Sequence, residues 1–398
     1  MKRLLALLLA LAMVLALAAC AEEKPPATSP NATEGTTAPT EPKEGVYKRD
    51  SYSVSNELAK AHRETVVATV GDSGLTNGLL QIYYWMGVCN FLNENASYLV
   101  YYGLDYTQHL DEQSFMDQDG TWQHFFLEDA LGKWHNYQAM ALEAEKQGIK
   151  PDEATQEAID SIRSGMEESR VELGYATLDE MIQADAGPGC LAEDFVTYQE
   201  LFFRSYSYYN HLLTTTVFTD EEVESWFAEN EEGLASRGVT KDTIGYDVRH
   251  ILVEVAEEKT DADWEKCRND AQALLDQWLA GEATEDSFAA MAEEHSADGG
   301  SSANGGLYED LTKDTSFVEP FKNWYLDESR AAGDYGLVKT EYGYHIMYFS
   351  GSGTIWMDYC RSAMTDNTVN EQINKIVESY PLTIDYDKIS LGIVNLGE

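Results

Sequence analysis

Asp247-Val248-Arg249-His250-Ile251-Leu252-Val253 opens, and Tyr342-Gly343-Tyr344-His345-Ile346-Met347-Tyr348-Phe349 closes, the segment whose reading decides the fold. Both runs alternate in the manner of a half-buried strand, and each carries one histidine among apolar neighbours. Between them lie two helical patterns and a polar loop, His295-Ser296-Ala297-Asp298-Gly299-Gly300-Ser301-Ser302-Ala303-Asn304-Gly305-Gly306. Helices on an antiparallel sheet, with a polar loop and two strand histidines, describe a compact site-bearing domain of roughly 100 residues.

Within this segment the coarse reading is a strand over 246–255, helices over 262–280 and 286–295, a helix near 317–326, and strands over 335–340 and 344–349. Upstream, Val66-Val67-Ala68-Thr69-Val70 reads as a strand, Gly71-Asp72-Ser73-Gly74 as a turn, and Thr76 or Asn77 as the cap of an aromatic-rich helix. A long helix is predicted from about Gly120 to Gln147, stopped by Gly148 and Pro151. Further helices follow over 152–173, 177–184 and 192–213. In the last, Phe202, Tyr206 and Tyr209 share one face, while Leu201, Tyr208 and Leu212 share another. Thr219-Asp220-Glu221-Glu222 starts a helix whose acidic first turn suits the helix dipole. Downstream, 355–380 reads as a helix with Trp356, Tyr359, Ile373 and Val377 as apolar anchors, and 382–386 as a short strand. That tail is too small to bury itself.

The chain has 398 residues, 43% of them hydrophobic, enough for two or three domains with real cores. Lys and Arg number 27 against 70 Asp and Glu, a net charge of −43. Nucleic-acid affinity rests on basic side chains neutralising phosphates, so nucleic acid is excluded as a partner. His124 and His135 lie about 16 Å apart on one helix, too far to share a metal. No zinc-ligand spacing, phosphate loop or Gly-x-Ser-x-Gly elbow occurs, and neither metal nor cofactor is expected. Repeated α/β alternation, the mark of two-lobed solute-binding proteins, is also missing.

Val248-Arg249-His250-Ile251-Leu252-Val253, the run Phe288 to Gly306 and the run Gly336 to Phe349 together resemble a parvulin-type (PpiC, rotamase) peptidyl-prolyl cis/trans isomerase domain. The whole layout resembles the PrsA/SurA group of secretory foldases, in which a helical chaperone domain flanks the parvulin domain. The fold class implied is α+β, with a parvulin domain (245–351) inserted into a helical domain made of residues 46–240 and a C-terminal helix and strand, 354–398. The function implied is prolyl isomerisation and chaperoning of unfolded or partly folded exported proteins containing X–Pro bonds. A second reading is a holdase whose parvulin domain only binds clients.

The resemblance also names site residues. The family's two central histidines fall on His250 and His345, whose implied role is a mutual hydrogen bond fixing tautomer and ring orientation. Its acidic or thiol position falls on Asp298, a carboxylate able to hold the pair and bias the field around a twisted carbonyl. The proline slot is expected from Leu307, Phe317 and Phe321, with Tyr342 at a further substrate-binding position. The chain departs from the pattern where the usual Gly-Gly-Asp-Leu-Gly is Gly305-Gly306-Leu307-Tyr308-Glu309, at Val318 where Gln is common, and in an extended segment from Asp327 to Gly333.

Met1-Lys2-Arg3 and the apolar run Leu4 to Leu17 read as a signal peptide, residues 1–19, too short for a comfortable membrane span. Leu17-Ala18-Ala19-Cys20 resembles a bacterial lipobox, implying lipid on Cys20 and an anchor on the outer face of the cell membrane. Residues 20–45, rich in Pro, Thr, Glu, Ala and Ser, have almost nothing to bury and read as a disordered tether. Four cysteines then remain, Cys89, Cys190, Cys267 and Cys360, with no CxxC pair among them. Cys20→Ser is expected to move the protein from the membrane to the soluble fraction in a detergent-partitioning experiment. Retention of that variant in the membrane would refute lipidation at Cys20.

Overall fold

The computed structural model describes residues 49–394, apart from 97, 100 and 117–119. The expected signal peptide, Cys20 and the tether lie outside the described residues. By packing, the described chain divides into two units: 49–217 with 365–394, and 218–364.

The first unit opens with β1 (Ser53–Val54) and α1 (Asn56–His62), followed by the hairpin of β2 (Val66–Val70) and β3 (Ser73–Thr76). Thr76 caps α2 (Asn77–Glu94), its side chain accepting from the Leu79 amide. Four consecutive residues of α2, Tyr83, Tyr84, Trp85 and Met86, are all buried. A helix apolar on every side belongs in an interior, and α2 is the centre of this unit's core. Beside it runs α3 (Trp122–Gln147), where the buried Trp122 ring meets Phe91 at 5.4 Å and Phe115 at 4.7 Å. Gly148 ends α3 at φ 72°, a left-handed conformation that glycine adopts without strain. Three more helices, α4 (Glu153–Leu173), α5 (Leu178–Ala186) and α6 (Ala192–Thr215), complete this part. On α6 the buried face carries Phe203, Tyr208 and Leu212, while Tyr206 is 41% exposed. His124 serves α3 locally, its Nδ1 accepting the Thr121 amide in the N-terminal cap, while His135 Nε2 donates to the distant Tyr380 carbonyl at 2.7 Å.

The second unit begins with α7 (Asp220–Ser236), capped reciprocally by Thr219 and Glu222. Then follow β4 (Ile244–Glu254), α8 (Asp261–Ala280), α9 (Glu285–His295), β5 (Leu307–Leu311), α10 (Glu319–Tyr325), β6 (Tyr335–Lys339) and β7 (Gly343–Thr354). The four strands form one antiparallel sheet in the order β5-β4-β7-β6. The sequence reading has no strand at 307–311, and β5 turns a three-stranded expectation into a four-stranded sheet. One sheet face, with Ile251, Ile346 and Tyr348, packs on Leu275, Trp278 and Phe288 of α8 and α9. The other, with Val248, Met347 and Phe349, packs on Phe321 and Tyr325 of α10.

The last helix, α11 (Trp356–Ser379), belongs to both units in turn. Its first turns bury Trp356, Cys360 and Met364 with Val223, Phe227 and Leu234. Its later turns bury Val369 with Met140 of α3 and Tyr208 and Leu212 of α6. β8 (Leu382–Ile384) then pairs antiparallel with β2, and β9 (Leu391–Gly392) lies parallel to β1. The C-terminal tail therefore completes the first unit, and the sheet unit is an insertion in it. The sequence reading bounds the inserted domain at 245 and 351. Packing places its edges at Val217/Phe218 and Met364/Thr365, because α7 and the start of α11 cover each other's apolar residues. Cys89, Cys190, Cys267 and Cys360 are buried free thiols.

Excising 218–364 and joining 217 to 365 by a flexible linker is expected to leave a folded, helical protein, because β8, β9 and the later turns of α11 remain with their partners. Circular dichroism and limited proteolysis check this. A chain that is unfolded by both would contradict the inserted arrangement.

Candidate active site

Register brings the two histidines together. Across β4 and β7, His250 stands opposite Met347 and Leu252 opposite His345, so all four side chains share the sheet face that α10 covers. The histidines are diagonal neighbours, with Nδ1 to Nδ1 at 3.0 Å, and both are nearly inaccessible to solvent.

The loop after α9 is pinned to the two residues that flank Ile251. Ser296 Oγ accepts the Leu252 amide at 3.1 Å, and the Ala297 amide donates to the Leu252 carbonyl at 2.9 Å. At the loop's far end the His250 amide donates to the Gly306 carbonyl at 2.8 Å. Gly306 has φ 73°, and a Cβ there would collide with the backbone of His250, so the contact requires glycine. This closure holds Asp298 within hydrogen-bond reach of His250 Nε2.

Asp298 Oδ2 takes three donors: His250 Nε2 at 3.0 Å, Ser301 Oγ at 2.5 Å and the Tyr308 hydroxyl at 3.0 Å. At the other end of the row, Thr340 Oγ1 lies 2.8 Å from His345 Nε2 and also accepts the Tyr342 amide at 3.2 Å. For a neutral histidine pair this geometry assigns the protons. His250 donates from Nε2 to the carboxylate, His345 donates from Nδ1 to His250 Nδ1, and the Thr340 hydroxyl donates to His345 Nε2.

The same contacts set how three members of the row titrate. The hydrogen bond from His250, with help from Ser301 and Tyr308, holds the Asp298 carboxyl far below the usual carboxylate range despite partial burial. Burial, and then the neighbouring His250, push His345 down to about 4, so its ring is neutral at neutral pH. Burial and the charge of Asp298 push the Tyr308 phenol up to about 12, so it remains a donor.

Beside this row stands an aromatic corner. Phe321 meets both imidazoles edge-on, at 5.1 and 5.4 Å, and stacks on Phe317 at 4.8 Å. Phe317 and Tyr308 are half-buried, their rings crossing at 5.0 Å. The structure thus gathers His250, Asp298, His345, Phe317 and Phe321 in one place. Leu307 is not among them: it pairs with Arg249 and so lies on the opposite sheet face. Tyr308, paired with Val248, faces the histidines instead. Tyr342 sits in the β6–β7 turn and is 54% exposed. Sequence reasoning passes over Tyr308, Ser301 and Thr340. The one sequence signal was the departure at Tyr308. Among the described residues no group of three or more His, Cys, Asp or Glu side chains is arranged to hold a metal ion.

Residues 250–351 match the family model of the rotamase, or PPIC-type PPIase, domain. This segment is a parvulin-type rotamase domain. Solved structures similar to the chain include PrsA from Bacillus subtilis, 18% identical, covering 67% of this chain and 90% of that one with a TM-score of 0.37. A SurA-like chaperone from Campylobacter jejuni is 16% identical, covering 79% and 94% with a TM-score of 0.21. PrsA from Streptococcus pneumoniae is 13% identical, covering 63% and 83% with a TM-score of 0.30. No curated protein sequence matches the chain.

Because the rotamase domain holds His345 near 4 while an unfolded histidine titrates near 6.5, the unfolded chain binds a proton there that the folded chain refuses. Stability contributed by this site is complete above about pH 6.5 and is lost as pH falls toward 4, by on the order of 3 kcal/mol. Chemical denaturation of the wild type and of His345→Gln at pH 7 and pH 4.5 checks this. The gap between the two proteins should narrow at the lower pH.

Proposed function

We propose that this chain is a prolyl isomerase and folding chaperone for exported proteins, held by lipid on Cys20 at the outer face of the cell membrane. The hydrogen-bonded row Asp298–His250–His345 beside an aromatic corner, inside a rotamase domain, is the observation that carries the reading. The lipobox-like run before Cys20 supports the anchor, and the acidic charge suits a protein that must stay soluble among unfolded clients. No described helix is long and apolar enough to cross a membrane.

Rotation about an X–Pro bond is slow because amide resonance must be broken, a barrier near 20 kcal/mol. No covalent bond is made, so the site acts by preferring the twisted amide to both planar forms. Phe317, Phe321 and Tyr308 offer an apolar slot for the proline ring. The planar amide places more negative charge on its carbonyl oxygen than the twisted one does. A fixed anion at Asp298 therefore disfavours the planar forms, and it does so in a partly dry site where charge acts strongly. The histidine pair holds that anion in place and transfers no proton.

The departures around Leu307-Tyr308-Glu309 and the exposed Tyr342 favour the second reading, a holdase whose rotamase domain only grips proline-containing clients. An isomerisation assay on X–Pro peptides separates the two. With an active enzyme, Asp298→Ala and His345→Ala should each lower kcat/KM by about 10- to 100-fold, roughly one to three kcal/mol of transition-state preference, and neither should abolish it. A folded chain inactive on every peptide, yet able to suppress aggregation, would leave the holdase reading.

A further inference from the structure

We propose that Tyr308 is a positioning residue of this site, that its hydroxyl fixes the Asp298 carboxylate which orients the histidine pair, and that Gly300 is the residue that admits it. The inference rests on the isomerase reading and adds to it a residue at a position where the family pattern has leucine.

Three observations converge. Tyr308 stands opposite Val248 on β5, which puts it on the histidine face, with its ring stacked over His250 at 5.5 Å and 29°. Its hydroxyl donates to Asp298 Oδ2 at 3.0 Å, the same oxygen that takes His250 and Ser301. A leucine here could supply a slot wall but no donor. Finally, the hydroxyl lies 2.7 Å from where a Cβ on Gly300 would stand. Gly300 has no left-handed φ, so no backbone demand explains the glycine there. The approach of the Tyr308 hydroxyl does. Tyr308 and Gly300 thus form one device, a phenol reaching across a loop that has no side chain in its way.

The device acts on charge and on direction. Titratable groups facing Asp298 are His250 from β4 and Tyr308 from β5, with His345 of β7 behind His250. With all three donors present, the carboxylate stays ionised and its Oδ2 stays aimed at His250 Nε2. Without the phenol, one of three donors is lost. The carboxylate then protonates at higher pH and is free to turn away from the imidazole. The ring is a separate matter: it forms a wall of the slot whether or not the hydroxyl is present.

The test uses the full chain and the variants Tyr308→Phe, Gly300→Ala and the two combined. Tyr308→Phe keeps the ring and removes the donor; Gly300→Ala keeps the donor and displaces it. Each single variant is expected to lower kcat/KM several-fold on X–Pro peptides and to shift the acid limb of its pH profile upward. The double variant should go no further than either alone. Carbon-13 carboxyl titration, assigned with Asp298→Asn, should show Asp298 protonating at higher pH in both variants. Nitrogen-15 spectra of the histidine rings should show the Nε2–H tautomer of His250 and the Nδ1–H tautomer of His345 in the wild type, and tautomer averaging in the variants. Wild-type titration and wild-type histidine spectra in Tyr308→Phe would overturn the proposal, as would additive effects in the double variant. A wild-type chain with no isomerase activity would refute the catalytic reading alone, since the carboxyl and histidine spectra decide the role of Tyr308 without it.

Discussion

One carboxylate oxygen, Asp298 Oδ2, receives hydrogen bonds from a strand histidine, a loop serine and a tyrosine on a third element, and the site depends on that convergence. The two imidazoles beside it are nearly dry, so neither can rely on water to satisfy its ring nitrogens. Without the carboxylate, His250 Nε2–H would be left with the Ser301 hydroxyl, 3.1 Å away, a neutral acceptor in place of a charged one. Each member of the row is therefore constrained by the next, from Tyr308 through Asp298 and the imidazoles to Thr340. Such a row holds one charge in one place, which is what a reaction without bond making can use.

The sheet supplies the rigidity behind this row. Its far face is an aromatic and aliphatic layer in which Trp278, Phe288 and Tyr348 meet at ring distances between 5.4 and 5.8 Å. Close packing there leaves β4 and β7 little freedom to slide. A slip of one residue would carry His250 and His345 to the face that α8 and α9 cover, away from Asp298 and Thr340. Register is thus held from behind while polar chemistry occupies the front.

The first unit solves a different problem. It is built around a helix with no polar side, α2, and a C-terminal tail that returns as two strands and half a helix. Closing the unit with residues from both ends of the chain lets a whole domain be inserted without interrupting its core.

Much of this was legible in the sequence because period-two alternation and local stop signals are local physics. His250 and His345 stand out as polar residues on apolar strands, Gly148 and Thr219-Glu222 mark helix ends, and Phe317 and Phe321 are one helical turn apart. Asp298 could be placed only through the resemblance, which aligns it between Ser296 and Gly305-Gly306. Tyr308 could not. Whether Leu307 or Tyr308 faces the histidines depends on which residue of β4 each one meets, and that pairing, 248 with 308, is made across sixty residues of intervening chain by the sheet alone. Ser301 and Thr340 were hidden for the same reason, since a hydroxyl becomes part of a row only when the fold sets an imidazole beside it. The edges of the inserted unit were likewise decided by which apolar residues of α7 and α11 cover one another, a choice that helical periodicity marks as possible and only tertiary packing makes.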